Sequence, residues 1–157
     1  MNTWNIPPVI KVYEALGALA DGRLEMVDHC HARVASSDGS KCYDVAWDPN
    51  ANAIMTNDNG SYWVGYLGYP AIAFLMDRGV LSYDEDTAQL LKGIAWKEIN
   101  QKYKNDFEKT MEEIFSSLST EKRTRIETFG ERVLREIALH KVEKLGKRKR
   151  PPRKNGV

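Results

Sequence analysis

Cysteine is scarce in this sequence, whose 157 residues contain only Cys30 and Cys42. Two cysteines are too few for a disulfide framework and too few for a zinc site made of thiolates alone. Free thiols in a reducing compartment are the simplest interpretation. The segment 1–8 also lacks the basic start and the apolar stretch of a secretory signal. We expect an intracellular, cytoplasmic protein, or a nuclear one if the cell has a nucleus.

Long apolar runs and known catalytic motifs are also missing. No run approaches the roughly 18 apolar residues that span a bilayer, so we expect no membrane partner. The chain contains no nucleophile elbow, Walker loop, dinucleotide fingerprint or paired-histidine helix motif. Its acidic pairs, such as Asp84 with Glu85, are typical of helix starts and solvated faces. The sequence therefore offers no support for an enzyme and predicts neither a cofactor nor a metal.

The charges that are present are unevenly distributed along the chain. The net charge is +1, from 23 lysine and arginine residues against 22 acidic ones. Residues 1–118 carry 10 basic and 17 acidic side chains, a balance of −7, whereas residues 119–157 carry 13 and 5, a balance of +8. An acidic body thus ends in a basic arm, which attracts phosphates, acidic protein surfaces or anionic lipid without distinguishing between them.

Hydrophobic periodicity and turn signals predict an α+β fold. A first helix is expected over 8–20, and a β-hairpin over 23–48 around the Asp38-Gly39 turn. A third short strand over 53–57 completes an antiparallel meander. Further helices, the last of them long and amphipathic, are expected over 71–77, 84–103, 107–118 and 119–145.

The length of the chain suits one domain with a single core. We place that domain at 1–145, with a helical extension over 84–145. Residues 146–157 form a basic tail that has almost nothing apolar to bury, and this tail is predicted to be disordered.

The register of the hairpin follows from its central turn. With that turn in place, His31 faces Ala46 and His29 faces Asp48. One face of the strands is then apolar, and the other carries His29, His31 and Asp48, whose side chains point the same way. These three residues are a weak candidate metal site. Alternating polar residues are also expected on any solvent-facing strand, which is the stronger interpretation.

The order of segments in the first half of the chain matches a known module. A Gly-Arg turn leads into the hairpin segment 34–45, and Gly68-Tyr69-Pro70 opens an apolar helix. In this order the stretch 13–81 resembles the SWIM-type ββα zinc finger, in which a Cys-x-Cys and a Cys-x-His bind zinc. The corresponding positions here read Ile-Met-Thr at 54–56 and Ala-Ile-Ala at 71–73, which include no zinc ligand. The resemblance implies an interaction or nucleic-acid-associated module, in which apolar packing replaces the metal.

Aromatic residues are concentrated between the predicted sheet and the helices. Asn59-Gly60, Gly65 and Gly68 interrupt this segment, which favours a loop that includes a short strand. Its rings either present flat faces to a base, a sugar or a partner protein, or close the edge of the core. The second interpretation is favoured, because large aromatic side chains are usually buried. The candidate binding residues of this loop are Asp58, Asn59, Tyr62, Trp63, Tyr66 and Tyr69.

The basic tail is the strongest functional signal. Eight cations lie within fourteen residues, and only Glu143 opposes them. This density favours a polyanion, with nucleic acid ahead of an unpartnered tail and of a membrane surface. The candidate nucleic-acid-binding residues are Lys141, Lys144, Lys147, Arg148, Lys149, Arg150, Arg153 and Lys154.

Three functions compete on these observations. The leading hypothesis is a non-enzymatic binding module whose tail contacts nucleic acid non-specifically and whose body engages a protein partner. The alternative is a helical oligomerisation or scaffold protein, in which the last two helices pair between subunits and the tail only keeps the protein soluble. An enzyme with an unfamiliar site comes third, and a deep pocket lined by convergent polar groups would favour it.

Overall fold

A five-stranded sheet with helices packed on one face forms the architecture. The structure is a computed structural model, which describes residues 2–153. The strands are β1 Leu24–Asp28, β2 His31–Ala35, β3 Cys42–Asp48, β4 Ala53–Thr56 and β5 Glu143–Lys144. The helices are α1 Ile10–Ala20, α2 Tyr69–Asp77, α3 Glu85–Gln89, α4 Trp96–Lys102, α5 Phe107–Phe115 and α6 Thr120–His140. The predicted α+β class, with an N-terminal helix and a long final helix, is confirmed.

The hairpin of β2 and β3 has the predicted register. His31 pairs with Ala46, and the neighbouring pairs follow in antiparallel order. Alternate residues therefore face the helices, and Ala32, Val34 and Val45 are buried. β4 pairs with the other edge of β3, as the predicted meander requires.

The first arm of the predicted hairpin consists of two strands. β1 and β2 pair with each other, and the chain turns at His29 and Cys30. The Asp28 carboxylate accepts a hydrogen bond from the Cys30 N–H at 2.8 Å, a local bond by which aspartate favours turns. The prediction that His29 faces Asp48 was therefore wrong, and Asp48 pairs with Ala53.

The final helix ends before its predicted limit. α6 stops at His140, and Lys141 adopts a left-handed conformation with φ of 47°. The chain then extends, and β5 pairs in parallel with β4. Val142 is buried, and its carbonyl accepts a hydrogen bond from the Trp4 N–H at 3.0 Å. The prediction of helix as far as Leu145 was wrong, because a short apolar pattern does not distinguish a helix from a strand.

The helix predicted over 84–103 is divided into α3 and α4. Between them Gly93 takes a positive φ of 79°, a conformation that glycine adopts without strain. Its N–H donates to the Asp21 carboxylate at 2.7 Å, so the break is held by a residue from the end of α1. The other predicted helices are present, with ends that differ by up to three residues. The Asp106 and Ser119 side chains cap the N-termini of α5 and α6.

α1 is buried over most of its length. It packs against α2, which separates it from the sheet, and against α3 and α6. Every residue from Val12 to Ala18 is buried, including the charged Glu14. The apolar stripe of α6 packs into the same core through Ile126, Val133 and Ile137. No helix in the described part of the chain is long and apolar enough to cross a membrane.

Replacing Val133 by Asp is expected to lower the free energy of unfolding by roughly 3–5 kcal/mol, because the new carboxylate would be buried without a partner. Urea denaturation of the purified protein measures this change. Leu139→Asp is the matched control in the same helix, since the Leu139 side chain is 81% exposed, and its effect should stay within about 0.5 kcal/mol. Equal effects of the two substitutions would show that α6 is not docked on the core.

Candidate functional site

A cleft of about 600 Å³ opens between α1, the turn 36–41, the segment 58–69 and α4. This volume lies within the range of small-molecule sites. Its lining combines polar side chains with aromatic rings. The residues that line it are Lys11, Glu14, Arg23, Ser36, Ser37, Lys41, Tyr43, Asp58, Asn59, Gly60, Trp63, Val64, Tyr66, Tyr69, Trp96, Lys97, Asn100, Gln101, Asn105 and Phe107.

A buried ion pair on α1 faces this cleft. Lys11 Nζ lies 2.8 Å from Glu14 Oε2, and the two side chains are only 13% and 5% exposed. The ammonium group also lies 4.6 Å from the centroid of the Phe107 ring. Burying two charges is costly unless each is well partnered. The pair therefore places a fixed cation and a fixed anion at the base of the cleft.

The ionisation of this pair follows from its surroundings. Burial lowers the pKa of Lys11, but the carboxylate of Glu14 and the nearby Tyr66 and Asp58 outweigh burial, so the pKa is raised overall. Burial also raises the pKa of Tyr66, although Lys11 opposes part of this effect. At neutral pH Lys11 is therefore a cation, and Tyr66 is a neutral phenol.

Asn100 of α4 completes the base of the cleft. Its Nδ2 donates to Glu14 Oε1 at 3.0 Å, which fixes the orientation of the amide. The other end of the amide, Oδ1, is buried and accepts no hydrogen bond in the described part of the chain. Buried acceptors are nearly always satisfied in folded proteins. The Asn100 amide therefore carries one unsatisfied buried acceptor, which lowers the stability of the fold beside the cleft.

The carboxylate of Asp58 organises the wall of the cleft. Asp58 Oδ1 accepts hydrogen bonds from Thr56 Oγ1 at 3.0 Å and from Ser61 Oγ at 2.7 Å, and Oδ2 accepts one from the Ser61 N–H at 3.2 Å. Ser61 Oγ in turn accepts from the Gly68 N–H at 3.0 Å. One buried side chain thus joins the end of β4, the π-helical turn Gly60–Val64 and the start of α2.

Gly68 allows this carboxylate to approach the backbone. A Cβ atom at this position would lie 2.1 Å from Asp58 Oδ2, so no larger residue fits.

Burial raises the pKa of Asp58 above its ordinary value, and the hydrogen bonds from Ser61 and Thr56 offset only part of this effect.

The aromatic residues of the predicted binding loop separate into two groups. Tyr66 is buried, and Tyr62 and Tyr69 are half-buried, which agrees with rings that close the edge of the core. Trp63 is 70% exposed at the mouth of the cleft, and its neighbour Val64 is 65% exposed. The structure places five of the six predicted residues in the cleft lining: Asp58, Asn59, Trp63, Tyr66 and Tyr69. Tyr62 lies outside the lining, and its ring is nearly perpendicular to that of Trp63, with 4.7 Å between the centroids.

The described part of the basic tail runs along the body of the protein. Arg148 lies over the Tyr62 ring, 4.4 Å from its centroid, and donates to the Tyr62 carbonyl at 3.1 Å. Lys149 Nζ lies 2.5 Å from Asp44 Oδ2, and the Asn57 side chain donates to the Arg150 carbonyl at 3.2 Å. We predicted that residues 146–157 are disordered, whereas in the structure residues 148–150 contact Asp44 of the central strand β3, Asn57 after β4, and the aromatic segment.

The predicted nucleic-acid-binding cations therefore have different environments. Arg148 and Lys149 contact the body as described above. Lys144 does so as well, with its Nζ 5.1 Å from the centroid of a Trp4 ring. The remaining cations within the described residues are exposed and have no carboxylate partner there: Lys141, Lys147, Arg150 and Arg153. Lys154 lies outside the described residues.

The weak candidate metal ligands do not converge. His31 Nδ1 lies 2.8 Å from the Asp28 carboxylate, and His29 is exposed in the turn between β1 and β2. The Asp48 carboxylate accepts hydrogen bonds from the N–H groups of Asn50 and Ala51. Within residues 2–153 no group of three or more His, Cys, Asp or Glu side chains is placed to hold a metal ion.

The sequence analysis proposed five of the twenty lining residues and missed the rest, which include the three polar residues at the base of the cleft: Lys11, Glu14 and Asn100. Glu14 did carry a signal, because a carboxylate within a helix that is apolar on every side requires a buried partner. Asn100 carried none, since its contact with Glu14 spans 86 residues and leaves no local pattern.

The fold and the cleft define an α+β domain with a polar, aromatic-lined binding cleft beside its sheet. The chain belongs to the family described as Uncharacterised conserved protein UCP014422, whose model matches residues 4–143. The match includes β1 to β4, the whole cleft lining and α6. No curated protein and no solved structure matches the chain.

The resemblance to the SWIM-type module stays a prediction. The positions that correspond to its zinc ligands lie in β4 and in α2. Ile54 and Ile72, one from each position, are both fully buried in the core.

Replacing Asp58 by Ala is expected to lower the free energy of unfolding by about 3 kcal/mol, because the Ser61 N–H and two hydroxyl groups would lose their buried acceptor. Asp58→Asn should cost much less, since its carbonyl can accept from the Ser61 N–H while its amide donates to the hydroxyls. Urea denaturation compares the two variants. Equal losses would show that the shape of the site, and not its hydrogen bonding, depends on Asp58.

The stability of the protein should also depend on pH through Asp58. Because the pKa of Asp58 is raised in the folded state, the folded chain retains a proton that the unfolded chain has lost. The contribution of Asp58 is therefore full below the unfolded pKa of about 4 and falls as pH rises through the folded pKa. We expect the stability of wild type relative to Asp58→Asn to decrease with pH above about 4 in urea titrations. An increase would contradict the raised pKa.

Proposed function

We propose that this protein binds a small polar molecule that carries a planar or sugar ring, and that the cleft is its binding site. The observation that carries this proposal is the convergence of the buried Lys11–Glu14 pair and Asn100 on a cleft whose mouth presents the exposed Trp63 ring. A concave site with a few placed polar groups and an aromatic wall is the usual form of a small-molecule site.

The cleft offers complementary contacts to such a ligand. Its amides and hydroxyls both donate and accept, Lys11 donates only, and Glu14 accepts only. The Trp63 indole presents a flat apolar face beside these groups, which suits a base or the apolar face of a sugar. An apolar molecule would leave the polar groups without partners, at a cost for each buried group.

The protonation states of the side chains in the cleft favour a binding role over proton transfer. A lysine base needs a lowered pKa, whereas the pKa of Lys11 is raised. The pKa of Tyr66 is raised as well, so its phenol does not supply a phenolate at neutral pH. Asp58 already uses both carboxylate oxygens in hydrogen bonds to its own chain.

Non-specific contact with nucleic acid through the tail is the second candidate function. The observation that favours it is the exposure of Lys147, Arg150 and Arg153, which have no carboxylate partner among the described residues. By contrast, α6 buries its apolar stripe within the same chain, which removes the apolar face that a scaffold pairing through α6 would use.

Thermal unfolding with a panel of candidate ligands tests the cleft. The panel contains nucleosides, nucleoside monophosphates, hexoses and hexose phosphates. A ligand at about 100 times its Kd stabilises the folded state by about 2.7 kcal/mol, so at least one class should raise the Tm of wild type by several degrees. Glu14→Gln and Trp63→Ala should reduce this shift, and each variant is compared with its own ligand-free Tm.

Tyr83→Ala is the matched control for Trp63→Ala, because it removes an exposed aromatic ring outside the cleft. Its ligand-induced shift should equal that of wild type. The proposal fails if no class shifts the Tm, or if the cleft variants respond to every ligand as wild type does.

A further inference from the structure

The lining of the cleft is biased toward positive charge. Four of the ten basic residues that precede Ser119 line it, against two of the seventeen acidic residues in the same part of the chain. Asp21 and Asp38 hold two of these cations, Arg23 and Lys97, by ion pairs of 3.2 and 3.4 Å. These two carboxylates lie outside the lining and balance its excess of two positive charges, so the cations that attract a phosphate backbone are those of the tail.

The basic tail reaches the mouth of the same cleft. Arg148 lies on one side of Tyr62, and Trp63 meets Tyr62 at 4.7 Å. Taken together, the two contacts place the Arg148 guanidinium within about 9 Å of the Trp63 ring. This upper limit corresponds to fewer than three steps of a stacked strand at a rise of about 3.4 Å. Cations and an exposed ring therefore lie within reach of one short strand.

The tail retains charge for such a strand even while it is attached to the body. The attachment uses Arg148 and Lys149, whereas Lys147, Arg150 and Arg153 remain exposed within the described residues. Basic side chains that follow a backbone, next to aromatic rings on which bases stack, are the usual features of single-strand binding.

We propose that the ligand of the cleft is a nucleotide of a single-stranded nucleic acid, whose base stacks on Trp63 while the tail neutralises neighbouring phosphates. This inference rests on the proposed binding function of the cleft and names its ligand class. Duplex fits less well, because a paired base must leave its stack before its ring can contact Trp63, at a cost of a few kcal/mol.

Fluorescence anisotropy with a labelled oligothymidine of about 12 nucleotides tests the inference, since single-strand sites span roughly 4–16 nucleotides. Affinity is measured from about 50 to 200 mM salt. The same strand in duplex form, and thymidine monophosphate as an unlabelled competitor, complete the set of probes. We expect the single strand to bind more tightly than the duplex and than the monophosphate.

Two variants separate stacking from phosphate contact. Trp63→Ala should weaken binding by roughly 5- to 150-fold at every salt concentration and leave the salt slope unchanged, because stacking releases no counterions. The triple variant Lys147→Gln, Arg150→Gln and Arg153→Gln preserves the contacts of Arg148 and Lys149. It should make the log-log salt slope shallower by about 2, at roughly 0.7 for each lost phosphate contact. Tyr83→Ala should match wild type.

The outcomes distinguish this inference from the proposed function of the cleft. Small ligands that bind the cleft, with an oligonucleotide that binds no more tightly than the monophosphate, would overturn the inference and leave the cleft function standing. Salt-dependent binding that Trp63→Ala does not change would overturn it in favour of contact through the tail alone. Preference for duplex would also overturn it. Absence of binding by every probe here and in the thermal panel would overturn both proposals.

Discussion

The buried carboxylate of Asp58 is the interaction on which the functional half of the molecule depends. It receives hydrogen bonds from the end of β4 and from the π-helical turn, and it lies against the backbone at the start of α2. The position of Trp63 at the cleft mouth follows from this arrangement, and so does the position of Tyr62, which receives Arg148. The cleft wall and the docking of the tail therefore share one support inside the protein.

A buried ion pair in the same region also opposes folding, because both charges lose their hydration. Lys11 and Glu14 lie in a helix that is buried over most of its length, where apolar side chains of similar size would stabilise the fold at least as well. Asn100 leaves one acceptor unsatisfied beside them. Buried polar groups that lower the stability of the fold are typical of functional sites. In this protein they lie around the cleft, whereas the packing of α6 is apolar.

Local patterns were sufficient for part of the structure. The Asp38-Gly39 turn specifies the β2–β3 register, and Ser119 specifies the start of α6, because both signals act over a few residues. The break at Gly93 depends on Asp21, 72 residues away, and no periodicity reveals it. The cleft shows the same division: composition pointed to its aromatic residues as a candidate binding loop, whereas its base joins α1 to α4 over a long separation.

The docking of residues 142–145 determines which edges of the sheet stay open. β5 covers β4, and Trp4 binds both the Val142 carbonyl and, through its indole N–H, the Ile54 carbonyl at 2.9 Å. Among the described strands, β1 retains an unpaired edge, and its charges at Glu25 and Asp28 together with an irregular register make it a poor template for another chain. β4 carries no charged side chain that would discourage pairing, and its four residues are all buried in the folded chain. Until the segment after α6 has docked, an apolar strand edge is exposed, and the species at risk of aggregation is a chain whose sheet has formed ahead of its last helix.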